Sequence, residues 1–552
     1  MGGAAAGDGP LAILGRPASE PSPEGAARRR EGPWRRRLRA LLSVANRDGI
    51  VELARDLLAL DVEVYATDGT REALAAAGVT VAPISALTQV DTLAGGQVKT
   101  FHPAVYAGIL AHRNRPDELA ELAAGGIGLI DLVVVNVKPF APQVGWRSVP
   151  LDEAIEMIDV GGNALLSAAA RSYAGVAAVC NPQHYQLLLE ELRERGSVSP
   201  ELRQQLAATA LADVAAYYAE VSSYLNHIAG TRFPDRLALV LEKMRDLDYG
   251  ENPHQQAAYY RETTHRGGSL SDATLLQGGQ PTFNDLLDLD AAYRIATDFT
   301  APTCCIVKQR NPTGLASNDR LSDAYVKALE GDPVSAFGSV VAVNRLVDAE
   351  TADQIAGNAY EAVVAPGFSQ EAREILAVKE TLSLLAVPSA PDDALADYGL
   401  ARLDFHRVGG GLLVETRDRS ELDRSQLKVV TRRRPTLEEL TDLLFAWRAV
   451  RHVTSNAVVL ARNAALVGVG AGQASRLSAV EIALHRAADR APLSVLASDA
   501  YFPFADAIQL AAERGVTAII QPGGSKRDEM AIEVADRHHM AMVFTGRRHF
   551  RH

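Results

Sequence analysis

From residue 40 onward the apolar positions alternate between two periods. ALLSVA (40–45) is a short apolar run that predicts a strand, and IVELARDLLAL (50–60) spaces its apolar residues as one face of a helix. VEVYAT (62–67) predicts a second strand. DGT then opens the helix REALAAAG, and VTVAPI (79–84) predicts a third strand. Strand, helix, strand, helix, strand with short connections predicts a parallel, doubly wound sheet with right-handed crossovers. LIDLVVVNV (129–137) and GVAAVCN (175–181) extend it. Ligands bind at the carboxyl ends of such strands, which here read SVANRDG, YATDGT, VVVNVKPF and AAVCNPQHY.

Residues 201–230 predict one long amphipathic helix, a helical linker (201–236) between two domains. From Leu237 the chain alternates α and β to its last residue. Predicted strands include TCCIVK (303–308), SVVAVN (339–344), AVVAPG (362–367), NAVVLAR (456–462) and AIIQPG (518–523). No close sequence repeat is visible. The length predicts two stacked α/β subdomains rather than one sheet.

Composition narrows the function classes. The 552 residues are 47% hydrophobic and 22% charged, an ordinary globular profile. A net charge of -12 argues against a general nucleic-acid or anionic-membrane binder. No run of about 18 apolar residues predicts a membrane span. Cys180, Cys304 and Cys305 form no even framework and no CxxC, which fits a reducing, cytoplasmic compartment and no structural metal site. Residues 1–38, rich in small residues and then in arginine, are expected to be a solvated basic tail. They lack the apolar core and cleavage site of a secretory signal.

Several loops carry candidate chemistry. CCIVKQRNPTG (304–314) is a strand ending in Lys308, Gln309 and Arg310 before a turn. YGENPHQ (249–255) and DPVSAFGS (332–339) are polar loops that by themselves read as turns with satisfied side chains. VGVGAGQASR (467–476) is similar to a phosphate cradle but lacks the full glycine fingerprint and the Walker lysine. SDAYFPFAD (498–506) sets two carboxylates around an aromatic-proline wall, suited to a flat heterocycle or to an ordinary core corner. QPGGSKRDE (521–529) is a glycine turn before a helix start, where N–H groups can meet an anion.

In their order and spacing, VKTFHP (98–103), YGENPHQ, DPVSAFG, SNAVVLAR, GVGAGQASR, ASDAYFPF, QPGGS-RDE and the C-terminal AMVFTG-RHF-RH resemble the bifunctional purine-biosynthesis enzyme family, which joins an IMP cyclohydrolase to an AICAR transformylase. The resemblance covers about residue 40 to the last residue. It implies an α/β protein with a methylglyoxal-synthase-like, doubly wound N-terminal domain (39–200). The transformylase domain (237–552) would consist of two cytidine-deaminase-like α/β subdomains without the zinc. It also implies 10-formyltetrahydrofolate as co-substrate, a small-molecule amine acceptor, and a homodimer with sites at the interface.

Carried over residue by residue, the resemblance makes Lys308, Gln309 and Asn456 catalytic in the transformylase, and Lys99 and Asp159 catalytic in the cyclohydrolase. Asp248, Tyr249, Gly250, Asn284, Phe337, Gly338 and Arg548 would bind the acceptor substrate. Arg476, Leu477, Pro503, Phe504, Asp506 and Ser525 would bind the folate. The chain departs from the family pattern at several of these places. Lys-His becomes Lys308-Gln309, and glutamine cannot act as a general base. Arg-Tyr-Gly becomes Asp248-Tyr249-Gly250, and an aspartate would repel a phosphate unless it faces solvent. The N-terminal phosphate loop reads Ala45-Asn46-Arg47-Asp48-Gly49, and the glycine turn Asp68-Gly69-Thr70. Gln97, Lys138 and Arg171 replace further family residues. These departures predict a formyltransferase with a changed amine acceptor and impaired cyclohydrolase. The alternatives are an ordinary bifunctional purine enzyme and an inactive homologue that serves as a binding subunit.

Overall fold

The structure is a computed structural model that describes residues 36–90, 93–140, 149–263, 267–389, 402–420 and 422–552. The expected tail therefore falls outside the described residues except at its end, where Arg36 pairs with Asp131 (2.5 Å) and Arg37 with Asp61 (2.8 Å). The chain forms two compact units that divide between Tyr218 and Ala219. The 29-residue helix Pro200–Ile228 carries the chain across that division.

The first unit holds a five-stranded sheet: β1 (Arg39–Val44), β2 (Glu63–Ala66), β3 (Ala82–Pro83), β4 (Leu132–Asn136) and β5 (Ala177–Val179). Its order is β3-β2-β1-β4-β5, and every pairing is parallel. The central strands are apolar on both faces because each face is covered, one around Leu42, Leu53 and Leu132, the other around Leu41, Val133 and Leu166. The strand order reverses between β1 and β4, and this is where such sheets open a crevice.

The second unit consists of two α/β halves, as expected, but they do not form separate stacked sheets. Its halves share one twelve-stranded sheet. The first half supplies β8 (Thr274–Gln277), β9 (Thr303–Lys308), β10 (Asn311–Ser317), β11 (Ser339–Val343), β12 (Tyr360–Ala365) and β13 (Ser383–Ala386). The second supplies β16 (Lys428–Val429), β17 (Val458–Arg462), β18 (Ala465–Gly470), β19 (Val495–Ser498), β20 (Ala518–Gln521) and β21 (Ala541–Phe544). The order runs β16-β21-β20-β19-β17-β18-β10-β9-β11-β12-β13-β8, and β10 meets β18 antiparallel at Ala316 and Ala465. Two antiparallel ribbons stand outside this sheet, β6 (Leu241–Leu247) with β7 (Ala257–Glu262) and β14 (Leu403–Val408) with β15 (Gly411–Thr416).

The halves repeat one another with a constant residue spacing at the positions that brace them. The helix Phe283–Thr297 starts with a capping box of Thr282 and Asp285, and the helix Leu437–Val450 with one of Thr436 and Glu439. Asp288 in the first helix accepts the N–H groups of Gln309 (2.9 Å) and Arg310 (2.6 Å) in the β9–β10 turn. Asp442 in the second accepts those of Asn463 (2.8 Å) and Ala464 (2.7 Å) in the β17–β18 turn. Gly314 and Gly468 also correspond. A methyl group on either would lie 2.0 or 2.1 Å from the carbonyl oxygen of Ala328 or Ala483 in the helix packed on that strand. The two N-terminal helices bury one face of the sheet together, with Phe299 and Phe445 at 5.2 Å between ring centres. The repeat is thus visible at caps, turn braces and close approaches.

Candidate functional site

The β9–β10 turn answers what surrounds Lys308. Gln309 (φ 50°) and Arg310 (φ 63°) both occupy the left-handed region, as a two-residue hairpin turn requires. For residues with a Cβ this costs roughly 1–2 kcal/mol each. The Asp288 carboxylate offsets that cost by accepting both turn N–H groups in charge-assisted bonds. Burial raises the Asp288 pKa, against the lowering effect of the same two bonds. Lys308, the last residue of β9, donates from Nζ to the Phe337 carbonyl oxygen at 2.7 Å. This joins the lysine to the Phe337-Gly338 loop, in which Gly338 takes φ 63° and the Phe337 ring is 70% exposed.

The turn is tied to the second half of the sheet. Asn311 accepts the Thr454 N–H (3.0 Å), and Gly472 donates to the Thr454 carbonyl (2.7 Å). Asn456 donates from Nδ2 to the Gln473 carbonyl (2.8 Å) and accepts from Arg476 (2.6 Å). Arg476 is only 6% exposed, and it forms an ion pair with the fully buried Asp499. Ser455 donates from its hydroxyl to the other oxygen of Asp499, its hydroxyl accepts the Arg551 N–H (3.1 Å), and its own N–H donates to the Arg551 carbonyl (2.8 Å). Lys308, Asn311, Asn456 and Arg476 are therefore brought together, with Asp499 as the buried anchor.

This geometry changes several expectations. Asp499 does not line the aromatic-proline wall, because its carboxylate turns inward to Arg476. Pro503, Phe504 and Asp506 remain exposed on the wall, with the Arg527 guanidinium 4.7 Å above the Phe504 ring. In VGVGAGQASR, Gly468 and Gly470 allow close packing, since a methyl on Gly470 would lie 1.9 Å from the Ala479 carbonyl oxygen, whereas Gly472 takes φ 66°. The Gly524 N–H after β20 is already taken by Asp528 (2.7 Å), and Ser525 Oγ accepts the Arg527 N–H (3.1 Å). Leu477 packs against the core of the second half. Arg548 is exposed, its guanidinium 4.5 Å over the Phe550 ring.

Near β6, Asp248 is exposed, Tyr249 half-buried and Gly250 buried. Gln255 closes the loop by accepting the Gly250 N–H (2.9 Å), and Asn284 donates to the Glu251 carbonyl (3.3 Å).

In the first unit, Asp159 caps the helix Val160–Arg171 by accepting the Gly162 N–H at 2.8 Å. A methyl on Gly161 would lie 3.2 Å from Thr100 Oγ1 and 4.0 Å from Asp159 Oδ1, so the segment bearing Lys99 and Asp159 are neighbours. At the switch point, Asn136 Oδ1 accepts the N–H groups of Ala45 and Asn46, each at 2.7 Å. Asn46 accepts the Asp48 N–H (3.0 Å), and Arg47 reaches the Gly69 carbonyl (3.3 Å) beside Asp68.

Asp288, Thr454, Ser455, Asp499 and Arg551 were not legible as site support. Their side chains or backbone act on other residues, and only the paired turn braces Asp288 and Asp442 left a signal, in their equal distance from a capping threonine.

The fold and these loops define a two-unit α/β enzyme whose second unit is a duplicated, single-sheet transferase scaffold. A family model described as AICARFT/IMPCHase bienzyme matches residues 169–486, and one described as MGS-like domain matches 49–164. The bifunctional purine biosynthesis protein PurH of Anoxybacillus flavithermus is 44% identical over 514 residues, covering 93% of this chain and 99% of that protein. PurH of Listeria monocytogenes is 42% identical over 514 residues, with 93% and 100% covered. A crystal structure of ForH is 36% identical and covers 34% of this chain and 98% of that one, with a TM-score of 0.31. The chain belongs to the AICARFT/IMPCHase bienzyme family. It is a formyltransferase, and its one-carbon donor is 10-formyltetrahydrofolate. Among the described residues no helix is long and apolar enough to cross a membrane.

Proposed function

We propose that the second unit transfers the formyl group of 10-formyltetrahydrofolate to the amine of the aminoimidazole carboxamide nucleotide, and that the first unit closes the ring, the two activities that the family description joins. The observation that carries this reading is that Asn311, at the end of the turn that bears Lys308, accepts from Thr454 two residues before Asn456, which Arg476 and the buried Asp499 hold in place. Lys308 polarises the formyl oxygen and stabilises the charge that develops there. Asn456, held by Arg476, orients the formyl carbon. Gln309 positions the amine by hydrogen bonding. The exposed wall of Pro503 and Phe504 takes the pterin, with Asp506 and Ser525 at its rim. Lys99 and Asp159 serve the ring closure. The exposure of Asp248 fits this reading, because a carboxylate in solvent need not oppose the substrate phosphate. A cytoplasmic homodimer is part of the proposal.

A second reading keeps the donor and changes the acceptor to a more basic, unphosphorylated amine, with weak ring closure. Gln309 favours it, since loss of a general base costs about 10²–10⁴ in rate on a weak nucleophile. Asp48 and Asp68 at the N-terminal loops also favour it, as do the Ala45 and Asn46 N–H groups already used by Asn136.

The deciding experiment follows donor consumption by the purified protein with and without the carboxamide nucleotide and weighs the product. Turnover to the formylated and ring-closed nucleotide supports the first reading. Donor binding without turnover, followed by formylation of an unphosphorylated amine, replaces it with the second.

A further inference from the structure

The repeat within the second unit separates structural from functional demands on one device. Both halves brace a two-residue hairpin turn with an aspartate from the preceding helix, through two N–H bonds of nearly equal length. Both turns force non-glycine residues to positive φ: Gln309 and Arg310 in one, Asn463 and Ala464 in the other. In both, the basic residue just before the turn donates to a carbonyl ahead of the third strand, Lys308 to Phe337 and Arg462 to Pro492 (3.0 Å). The two devices differ in their surroundings. Asn311, just after the first turn, reaches Thr454 next to Ser455 and Asn456. The second turn follows Arg462 at the other end of β17, a strand's length from Asn456.

We infer that Asp288 is a positioning residue for formyl transfer, and that it sets the direction in which Lys308 and Gln309 present their side chains by locking the turn between them and Asn311. Asp442 is the same brace without that task. The inference rests on the assignment of Lys308 and Gln309 to the reaction. A hairpin whose N–H groups are unbraced can relax its positive φ values, and a change at two adjacent residues redirects both flanking side chains. A misplacement of about 1 Å from the near-attack geometry can cost about a hundredfold in rate.

The chain supplies its own control. Asp288→Asn and Asp442→Asn each replace one carboxylate oxygen with an NH2 that faces an N–H, and both should lower the melting temperature by a similar amount. Only Asp288→Asn should lower kcat, by at least tenfold, with little change in KM for the folate. A second measurement does not depend on turnover. Lys308 is labelled with an amine-reactive acylating reagent and followed by peptide mass. Release of the Phe337 contact should speed its labelling at least threefold in Asp288→Asn and leave it unchanged in Asp442→Asn. Equal Lys308 labelling in the two variants, or equal kcat where the wild type turns over, would overturn the inference. A wild type that fails to formylate the nucleotide would overturn the proposed function alone, since the labelling comparison still decides the brace. If Asp288→Asn does not fold, Asp288→Glu keeps both oxygens but shifts them by one methylene, and carries the same comparison.

Discussion

The carboxylate of Asp288 accepts the backbone N–H of Gln309 at 2.9 Å, across 21 residues of chain. The residue that departs most tellingly from the family's lysine-histidine pair is thus held by its backbone and not by its side chain. Its replacement leaves the turn as it is. Gln309→His should therefore fold unchanged and restore a general base beside Lys308. Its kcat for the carboxamide nucleotide should rise by about a hundredfold or more if proton removal limits the wild type. Steady-state kinetics against pH checks this, and an unchanged rate would mean that no base is needed at 309.

Arg476 and Asp499 form a buried ion pair under Asn456. Removing one partner leaves a buried charge, so Arg476→Met should destabilise the unit by about 3–5 kcal/mol. Replacing both, as Arg476→Met with Asp499→Leu, should recover most of that stability without recovering formyl transfer, because Asn456 has still lost the bond to its oxygen. Thermal melts and activity measured on the same preparations separate the two effects.

Asp298 accepts from both Arg451 and His452 in a poorly exposed cluster. Burial pushes Asp298 upward, but the His452 bond and the charges of His452 and Arg451 hold it below the usual carboxylate range. Burial pushes His452 down, against the pull of Asp298. The depressed carboxylate contributes stability that is present above its unfolded value near 3.9 and lost as pH falls through its folded value. The depressed histidine takes its proton first in the unfolded chain, so acidification below about 6.5 also costs stability. The melting temperature should be level between pH 7 and 8 and fall from about pH 6.5 downward. Asp298→Asn should lose about 3 kcal/mol at neutral pH, and its deficit should shrink in acid.

Gly314 allows β10 to approach the helix Leu321–Gly331 because a methyl group would collide with the Ala328 carbonyl. Gly314→Ala should destabilise by about 1–3 kcal/mol through overpacking. It should also slow formyl transfer, since the shifted strand leads back to Asn311 and the Lys308 turn. Gly468→Ala makes the same collision in the second half, and denaturant melts of the two should agree.

In the first unit, Asp48 and Asp68 flank the loop that would meet a substrate phosphate. Asp48→Lys with Asp68→Gly should raise the ring-closure rate on formylated nucleotide at low salt, and added salt should reduce the gain. A spectrophotometric ring-closure assay over ionic strength checks it.

The strands and helices were legible wherever one period dominated. ALLSVA became Arg39–Val44, IVELARDLLAL became Ile50–Ala59, and TCCIVK became Thr303–Lys308. Hydrophobic burial enforces those periods residue by residue, so the pattern is local and visible. VTVAPI shortened to Ala82–Pro83, because an edge strand with one neighbour and a proline has little ladder to join. The loops that resemble the family were also legible, because a site needs particular atoms at particular places.

By itself, the amino-acid sequence determined the alternation of elements, the doubly wound first unit, and the loops that carry Lys308, Asn456 and the Pro503-Phe504 wall. Tertiary structure alone decided that the two halves of the second unit form one sheet, that Asp499 turns inward, and that Asp288 and Asp442 do the same work on two turns. The physical reason is range. Periodicity and turn chemistry act between near neighbours, whereas a carboxylate chooses between a wall and a buried guanidinium only after strands far apart in sequence have met.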